Sequence, residues 1–194
     1  KRQVIMNIHN GEIVALASSP DFNANKGRGE LGKDKDSSIY FNRVVQGVYE
    51  MGSTFKIFSV AQGLEKDLFT LDSLIDTRAF RINSRKIEDK YKFNSESSIY
   101  EIIVRSTKVG SARLALMVGE KGLKEIFSKL GLLEPVRLEL REANTTRPIL
   151  PKNWHDITLA TVTYGYGMSV SLLHLAKAYA ILGNGGFHIE PTIL

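Results

Sequence analysis

Residues 53–65, Ser-Thr-Phe-Lys-Ile-Phe-Ser-Val-Ala-Gln-Gly-Leu-Glu, restrict the possible folds more than any other segment. Helical spacing places Phe55, Ile57, Phe58, Val60, Ala61 and Leu64 nearly all round the axis. A helix that is apolar on every side is stable only when other elements surround it. The segment is therefore expected to be a buried helix. Two polar residues, Ser53 and Lys56, stand at its head, and their spacing sets both side chains on one face, a turn apart.

Around this helix the chain reads as helix-rich α+β. Residues 3–18 predict a hairpin, with Val4, Met6 and Ile8 going out, Asn10-Gly11 forming a tight turn, and Ile13, Val14 and Leu16 returning. Ser19-Pro20 ends the second strand. Residues 21–41 are loop-like, and residues 78–93 are polar and partly β. Ser98 with Glu101 is a capping-box pattern that opens a short helix through Ile102 and Ile103. A helical run follows from Ala112 to Val118. A further helix carries Leu123, Ile126, Phe127 and Leu130, with Gly131 as its stop. Residues 134–153 read as loop. Ser171 caps a last helix with Leu172, Leu175, Ala176 and Tyr179 on one face, ended by Asn184-Gly185-Gly186. A two-stranded hairpin is marginal alone, so the remaining sheet strands are expected beyond the last residue. The chain starts at Lys1 rather than Met, which fits a piece of a longer protein.

Composition narrows the function classes. With 194 residues, 43% hydrophobic and 24% charged, the chain is of ordinary globular type. The absence of cysteine rules out disulfides, thiol catalysis and cysteine-ligated metals. The net charge is +5, part of it from Lys26, Arg28, Lys33 and Lys35 in a Gly-rich stretch that also holds Glu30, Asp34 and Asp36. That mixture reads as a solvated loop, because nucleic-acid binding needs basic residues interleaved with aromatics on one face. Apolar runs reach about five residues against the about 20 of a membrane span. His9, His155, His174 and His188 lack ligand spacing, so no metal is expected. The glycines at 165, 167, 185 and 186 do not form a dinucleotide-binding pattern, and no cofactor is implied.

Ser53 and Lys56 have two readings. A serine hydroxyl becomes a nucleophile when a neighbouring base takes its proton. A lysine acts as that base once desolvation lowers its pKa, and Phe55, Ile57 and Phe58 supply apolar surroundings. Gly52 would allow a close approach of substrate or backbone, and backbone N–H groups at the helix start would favour developing negative charge. The plainer reading is an N-capping serine beside a lysine that extends to solvent. Spacing alone cannot choose, since 16 Ser and 15 Lys in 194 residues give roughly one Ser-x-x-Lys by chance.

The surroundings of the pair favour the first reading. The run Asn42-Arg43-Val44-Val45-Gln46-Gly47-Val48-Tyr49-Glu50-Met51-Gly52-Ser53-Thr54-Phe55-Lys56 closely resembles the active-serine stretch of class B penicillin-binding proteins, the septal cell-division type above all. Met51 stands where the family usually has proline. Residues 11–20 resemble the family's first hairpin. Glu101 to Ser106 with Val109-Gly110 resemble its second motif, and residues 163–170 and 175–180 its late glycine-rich segment and following helix. The resemblance implies a penicillin-binding-protein/serine β-lactamase-like transpeptidase fold, with residues 1–194 forming a partial transpeptidase domain. It also implies a peptidoglycan D,D-transpeptidase that crosslinks stem peptides during cell division and is acylated by β-lactams. Ser53 would be the nucleophile, Lys56 its base and Ser106 a proton relay, with Gly52 and the position of Lys108 on the substrate side. It implies division proteins as partners and a place at the bacterial inner membrane, facing the periplasm or cell exterior, through an anchor outside this chain.

Two departures qualify the resemblance. The family's Ser-x-Asn reads Ser106-Thr107-Lys108 here. An asparagine accepts and donates, whereas a lysine only donates and adds a charge that lowers the pKa of a neighbouring lysine. Either the site is altered or the substitution is tolerated. The family's Lys-Thr/Ser-Gly motif is absent, so these 194 residues alone are expected to be weakly active or inactive. Two alternatives follow from the same residues: a non-catalytic division scaffold with an altered site, and a serine β-lactamase or β-lactam sensor. Tyr164 and Tyr166 could border a cleft, though core or turn packing is the simpler reading, as it is for Trp154. Asp76, Arg78, Asn83, Arg85 and Asp89 read as a structural hydrogen-bonding segment.

Overall fold

The computed structural model describes residues 1–22, 25, 39–91 and 93–194. The basic loop of Lys26 to Asp36 lies outside them. The chain divides into two units, one formed by residues 1–49, 129–149 and 170–194, the other by residues 50–128 and 150–169.

In the first unit, β1 (Arg2–Met6) pairs antiparallel with β2 (Ile13–Ser18), from Arg2 opposite Ser18 to Met6 opposite Ile13. The hairpin is as expected, but its turn is not the two-residue Asn10-Gly11 turn. A six-residue loop closes it, and of the two only Gly11 has a positive φ, 79°. The side chains of Asn7 and Asn10 accept from the backbone N–H of His9 and Glu12. This local bonding competes with a tight turn. Val4, Ile13 and Leu16 pack on a core of Val44, Val45, Val136, Leu138, Ala143 and Leu173.

Helix α5 (Leu172–Gly183) belongs to the same unit. Ser171 caps it as expected, its Oγ accepting from His174 N at 3.3 Å. The buried face differs from the expected one. It carries Leu173, His174, Lys177, Ala178 and Ile181, whereas Tyr179 is exposed and Leu172, Leu175 and Ala176 are half-buried. Two buried polar side chains displaced the stripe, because each has a partner. His174 lies between the Ser171 hydroxyl (2.7 Å) and the Glu134 carbonyl (2.9 Å), and Lys177 donates to Glu190 at 2.8 Å. Burial lowers the His174 pKa to about 4; the bond to Glu134 opposes the shift and Lys177 adds to it.

The second unit is built round α1 (Lys56–Glu65). It is preceded by a 3-10 turn, Gly52–Phe55, so Ser53 lies just outside the α-helix. Phe55, Phe58 and Phe127 form an edge-packed trio with centroids 5.2–6.4 Å apart, and Trp154 packs on Phe127 at 6.3 Å. Val60 joins Phe69, Ile75, Ile99, Ile102 and Leu114 in an adjoining core. The helix is thus largely enclosed, with Phe55, Phe58 and Val60 buried and Ile57, Ala61 and Leu64 half-buried.

Four short strands lie within this unit, two of them in residues 78–93, which the sequence read as partly β, and two that it left unassigned. Here β3 (Leu74–Asp76) pairs with β6 (Glu96–Ser98), and β4 (Phe80–Ile82) with β5 (Arg85–Ile87), both antiparallel. Helix α2 (Ile99–Val104) opens with the expected capping box. Glu101 N donates to Ser98 Oγ at 3.2 Å, and Ser98 N donates to Glu101 Oε2 at 3.1 Å. The expected runs at 112–118 and 123–130 merge into α3 (Lys108–Lys129), broken at Gly119 where φ is 71° and ψ 175°. Helix α4 (Asp156–Thr163) precedes the glycine-rich segment.

Candidate active site

Four pieces of the second unit meet round one cavity of about 610 Å³. The 52–55 turn and the head of α1 supply Ser53 and Lys56. The turn between α2 and α3 supplies Ser106 and Lys108. The segment after β5 supplies Asp89, and the residues after α4 supply Tyr164 and Tyr166. Sequence spacing brought Ser53 and Lys56 together; the fold brings Ser106 and Lys108 to them. Gly52 does not line the cavity. Its φ is 59°, and a Cβ there would meet nothing within 4 Å. The close approach expected at Gly52 is required at Gly165 instead, whose added Cβ would stand 2.0 Å from Gly52 O.

Ser53 is exposed, and its hydroxyl makes no hydrogen bond among the described residues. Lys56 is only 5% exposed. Its Nζ donates to Ser106 Oγ at 2.9 Å and also to the Ser106 carbonyl oxygen. Burial pushes its pKa below the ordinary lysine value, Asp89 opposes that shift, and Lys108 adds to it. Lys108 acts on Lys56 in the direction expected, but the negative Asp89 was not foreseen.

The Ser106 turn is tightly specified. Ser106 has φ 55°, a left-handed value uncommon for a residue with a Cβ. Its N–H donates to Ile103 O and the next N–H, of Thr107, to Ile102 O, both at 3.1 Å. Asp89 accepts from the backbone N–H of Lys108 and of Val109 (3.2 Å), capping α3 from a distant part of the chain. Lys108 Nζ lies 5.1 Å from the Tyr164 ring centroid, within cation–π range.

Tyr164 is buried and Tyr166 exposed, with their rings 6.1 Å apart edge to face. Both border the cavity, so the packing reading is incomplete. Burial raises the Tyr164 pKa, keeping it a neutral phenol. Glu50, absent from the sequence-based set, accepts from Gly167 N at 2.7 Å, and Gly52 N donates to Gly165 O at 3.1 Å. These two bonds fix the glycine-rich segment against the stretch entering Ser53.

The geometry offers an accessible hydroxyl and a desolvated amine, with a second hydroxyl bonded to that amine. The description "Penicillin binding protein transpeptidase domain" matches residues 3–194. The chain belongs to this family. It is of the class B, FtsI-like kind: it is 39% identical over 184 residues to the probable peptidoglycan D,D-transpeptidase FtsI of Caulobacter vibrioides, covering 94% of this chain and 30% of that protein. It is 31% identical over 190 residues to peptidoglycan D,D-transpeptidase FtsI of Escherichia coli K12, covering 98% and 31%. The chain therefore spans about a third of the length of these relatives. The transpeptidase domain of penicillin-binding protein 3 from Burkholderia pseudomallei superposes with a TM-score of 0.83 at 26% identity, covering 99% of this chain and 52% of that one. A crystal structure of a peptidoglycan glycosyltransferase from Burkholderia ambifaria gives 0.84 at 26% identity, covering 100% and 56%. These likenesses bear out the transpeptidase fold with its N-terminal hairpin.

Proposed function

We propose that this chain carries the acylation centre of a peptidoglycan D,D-transpeptidase. The observation that supports it is the exposed Ser53 hydroxyl in one cavity with a buried Lys56 amine bonded to Ser106. Ser53 Oγ attacks the carbonyl of the penultimate D-alanine of a stem peptide, and the new O–C bond forms as Lys56 takes the hydroxyl proton. Backbone N–H groups at the head of the 52–55 turn assist the developing oxyanion. Ser106 passes the proton to the leaving nitrogen, the C–N bond breaks and D-alanine departs. An amine of a neighbouring stem then attacks the ester, which forms the crosslink and returns Ser53 to the hydroxyl. A β-lactam enters by the same attack and leaves a long-lived ester. Lys108, which lines the same cavity, would face the peptide.

The relatives' name FtsI supports a role in cell division; division proteins as partners and a site facing the periplasm belong to the same proposal. Among the described residues no helix is long and apolar enough to cross a membrane, so an anchor would lie outside them. The test is a labelled penicillin followed by intact-mass analysis, run on the full-length protein because these 194 residues alone, without a Lys-Thr/Ser-Gly motif, are expected to be weakly active or inactive. The protein should gain one penicillin mass on the peptide that contains Ser53, and Ser53→Ala should gain none. Labelling that persists in Ser53→Ala would refute the assignment. A second reading, a scaffold with a disabled site, draws on Lys108 at the asparagine position. It requires that wild-type protein not be acylated while partner binding persists.

A further inference from the structure

Resting on the acyl-transfer reading above, we propose that Asp89 is a positioning residue for this centre. Its carboxylate pins the turn that presents Ser106 and offsets the positive charge that Lys108 brings beside Lys56. The pinning is direct. The carboxylate accepts from the N–H of Lys108 and of Val109, the first two amides of α3. Ser106 lies two residues before the first of them, in a left-handed conformation that its own side chain does not favour. The turn is thus fixed at its carbonyl by Lys56, at its early amides by Ile102 and Ile103, and at its exit by Asp89. Without the last contact, two helix-terminal N–H groups lose their acceptor.

The charge argument concerns this chain in particular. Asparagine at position 108 would leave Lys56 without a cationic neighbour on the turn; lysine adds one, and the base loses affinity for the proton it must accept. Asp89 acts on Lys56 in the opposite direction. The other charged groups round the cavity are Arg85, Lys86, Glu88 and Lys90. Of these, Lys86 and Glu88 pair with each other at 2.5 Å. Asp89 is the negative group that acts on Lys56, and its backbone bonds hold it in place.

The two roles separate in the pH profile of penicillin acylation of the purified full-length protein. Asp89→Asn keeps an acceptor oxygen for only one of the two amides and sets an NH2 against the other, so its plateau should fall by less than that of Asp89→Ala while the acid limb moves to lower pH by about half to one unit. As a fraction of its own plateau, the rate at a fixed acidic pH should rise roughly three- to tenfold over wild type. Lys108→Asn should move the limb to higher pH, and the double variant should return towards the wild-type profile. Asp89→Ala removes the acceptor and should lower the plateau by roughly 10–100-fold. Superimposed acid limbs for wild type and Asp89→Asn would overturn the charge role, and so would an unmoved limb in Lys108→Asn, a variant that leaves the cap intact. A wild-type plateau in Asp89→Ala would overturn the positioning role. A wild-type protein that resists acylation altogether would refute the functional reading first, and the role of Asp89 with it.

Discussion

Replacing Gly165 by alanine should disable the site through the backbone rather than through any reacting group. The new Cβ would stand 2.0 Å from Gly52 O, 2.3 Å from Gly52 N and 2.5 Å from Gly52 C. Non-bonded carbon contacts settle near 3.5 Å, so one of the two backbones must move by about 1 Å or more. The bond from Gly52 N to Gly165 O, now 3.1 Å, would break, at about 1 kcal/mol. The forced repacking adds about 1–3 kcal/mol. Gly167 supplies the control, because its φ of 78° nearly equals the 80° of Gly165, whereas a Cβ there would meet only Thr161 Oγ1 at 3.7 Å. Both variants carry the left-handed strain of about 1–2 kcal/mol, so their difference isolates the collision, about 2–4 kcal/mol. Gly165→Ala should melt roughly 5–15 °C below Gly167→Ala. Because Ser53 follows Gly52 directly, its acylation by a fluorescent penicillin should slow by about 100-fold. Equal melting temperatures, with acylation rates within threefold of each other, would refute the reasoning.

Phe127→Ala removes the shared member of the aromatic trio at a site 1% exposed and should cost about 3–5 kcal/mol, read from urea unfolding. Ser98→Ala deletes the α2 cap and should cost about 1 kcal/mol, with faster amide exchange confined to residues 99–104. His174 is held neutral, its folded pKa near 4 lying below the ordinary 6.5, so the unfolded chain binds more protons between those values. Stability should therefore fall as pH drops through that window, by roughly 3 kcal/mol in all. His174→Gln should flatten the melting temperature between pH 6.5 and 4, and an unchanged slope would exclude the histidine as its source.

Periodic and local signals were legible in the sequence: the first hairpin, the buried helix at 53–65, the capping box at Ser98 and the cap at Ser171. Signals that depend on distant contacts were not. Helix α4 is Asp-Ile-Thr-Leu-Ala-Thr-Val-Thr, five of its eight residues β-branched, and tertiary burial overrides that strand-like composition. The β4–β5 hairpin turns on Asn83-Ser84 with Asn83 at φ 53°, a two-residue turn whose signal is weak between short, charge-rich strands in a segment legible only as partly β. On α5 the apolar stripe misled, because His174 and Lys177 have partners that no helical period reveals. Ser53, Lys56 and Ser106 were reached through motif resemblance. Asp89 was read only as part of a structural hydrogen-bonding segment and Glu50 only as a member of the active-serine run; their partners, backbone amides far away in sequence, were not legible.

The two bonds from Lys56 to Ser106 leave the nitrogen little freedom. An ammonium carries three hydrogens; once deprotonated, the amine keeps two hydrogens and a lone pair. The carbonyl and hydroxyl oxygens of Ser106 each claim one hydrogen. The electron pair is then left to the one remaining tetrahedral direction, already aimed before any substrate arrives. Pivoting of the lysine tip is suppressed in either protonation state, so a proton picked up by this nitrogen has a single vacancy to enter.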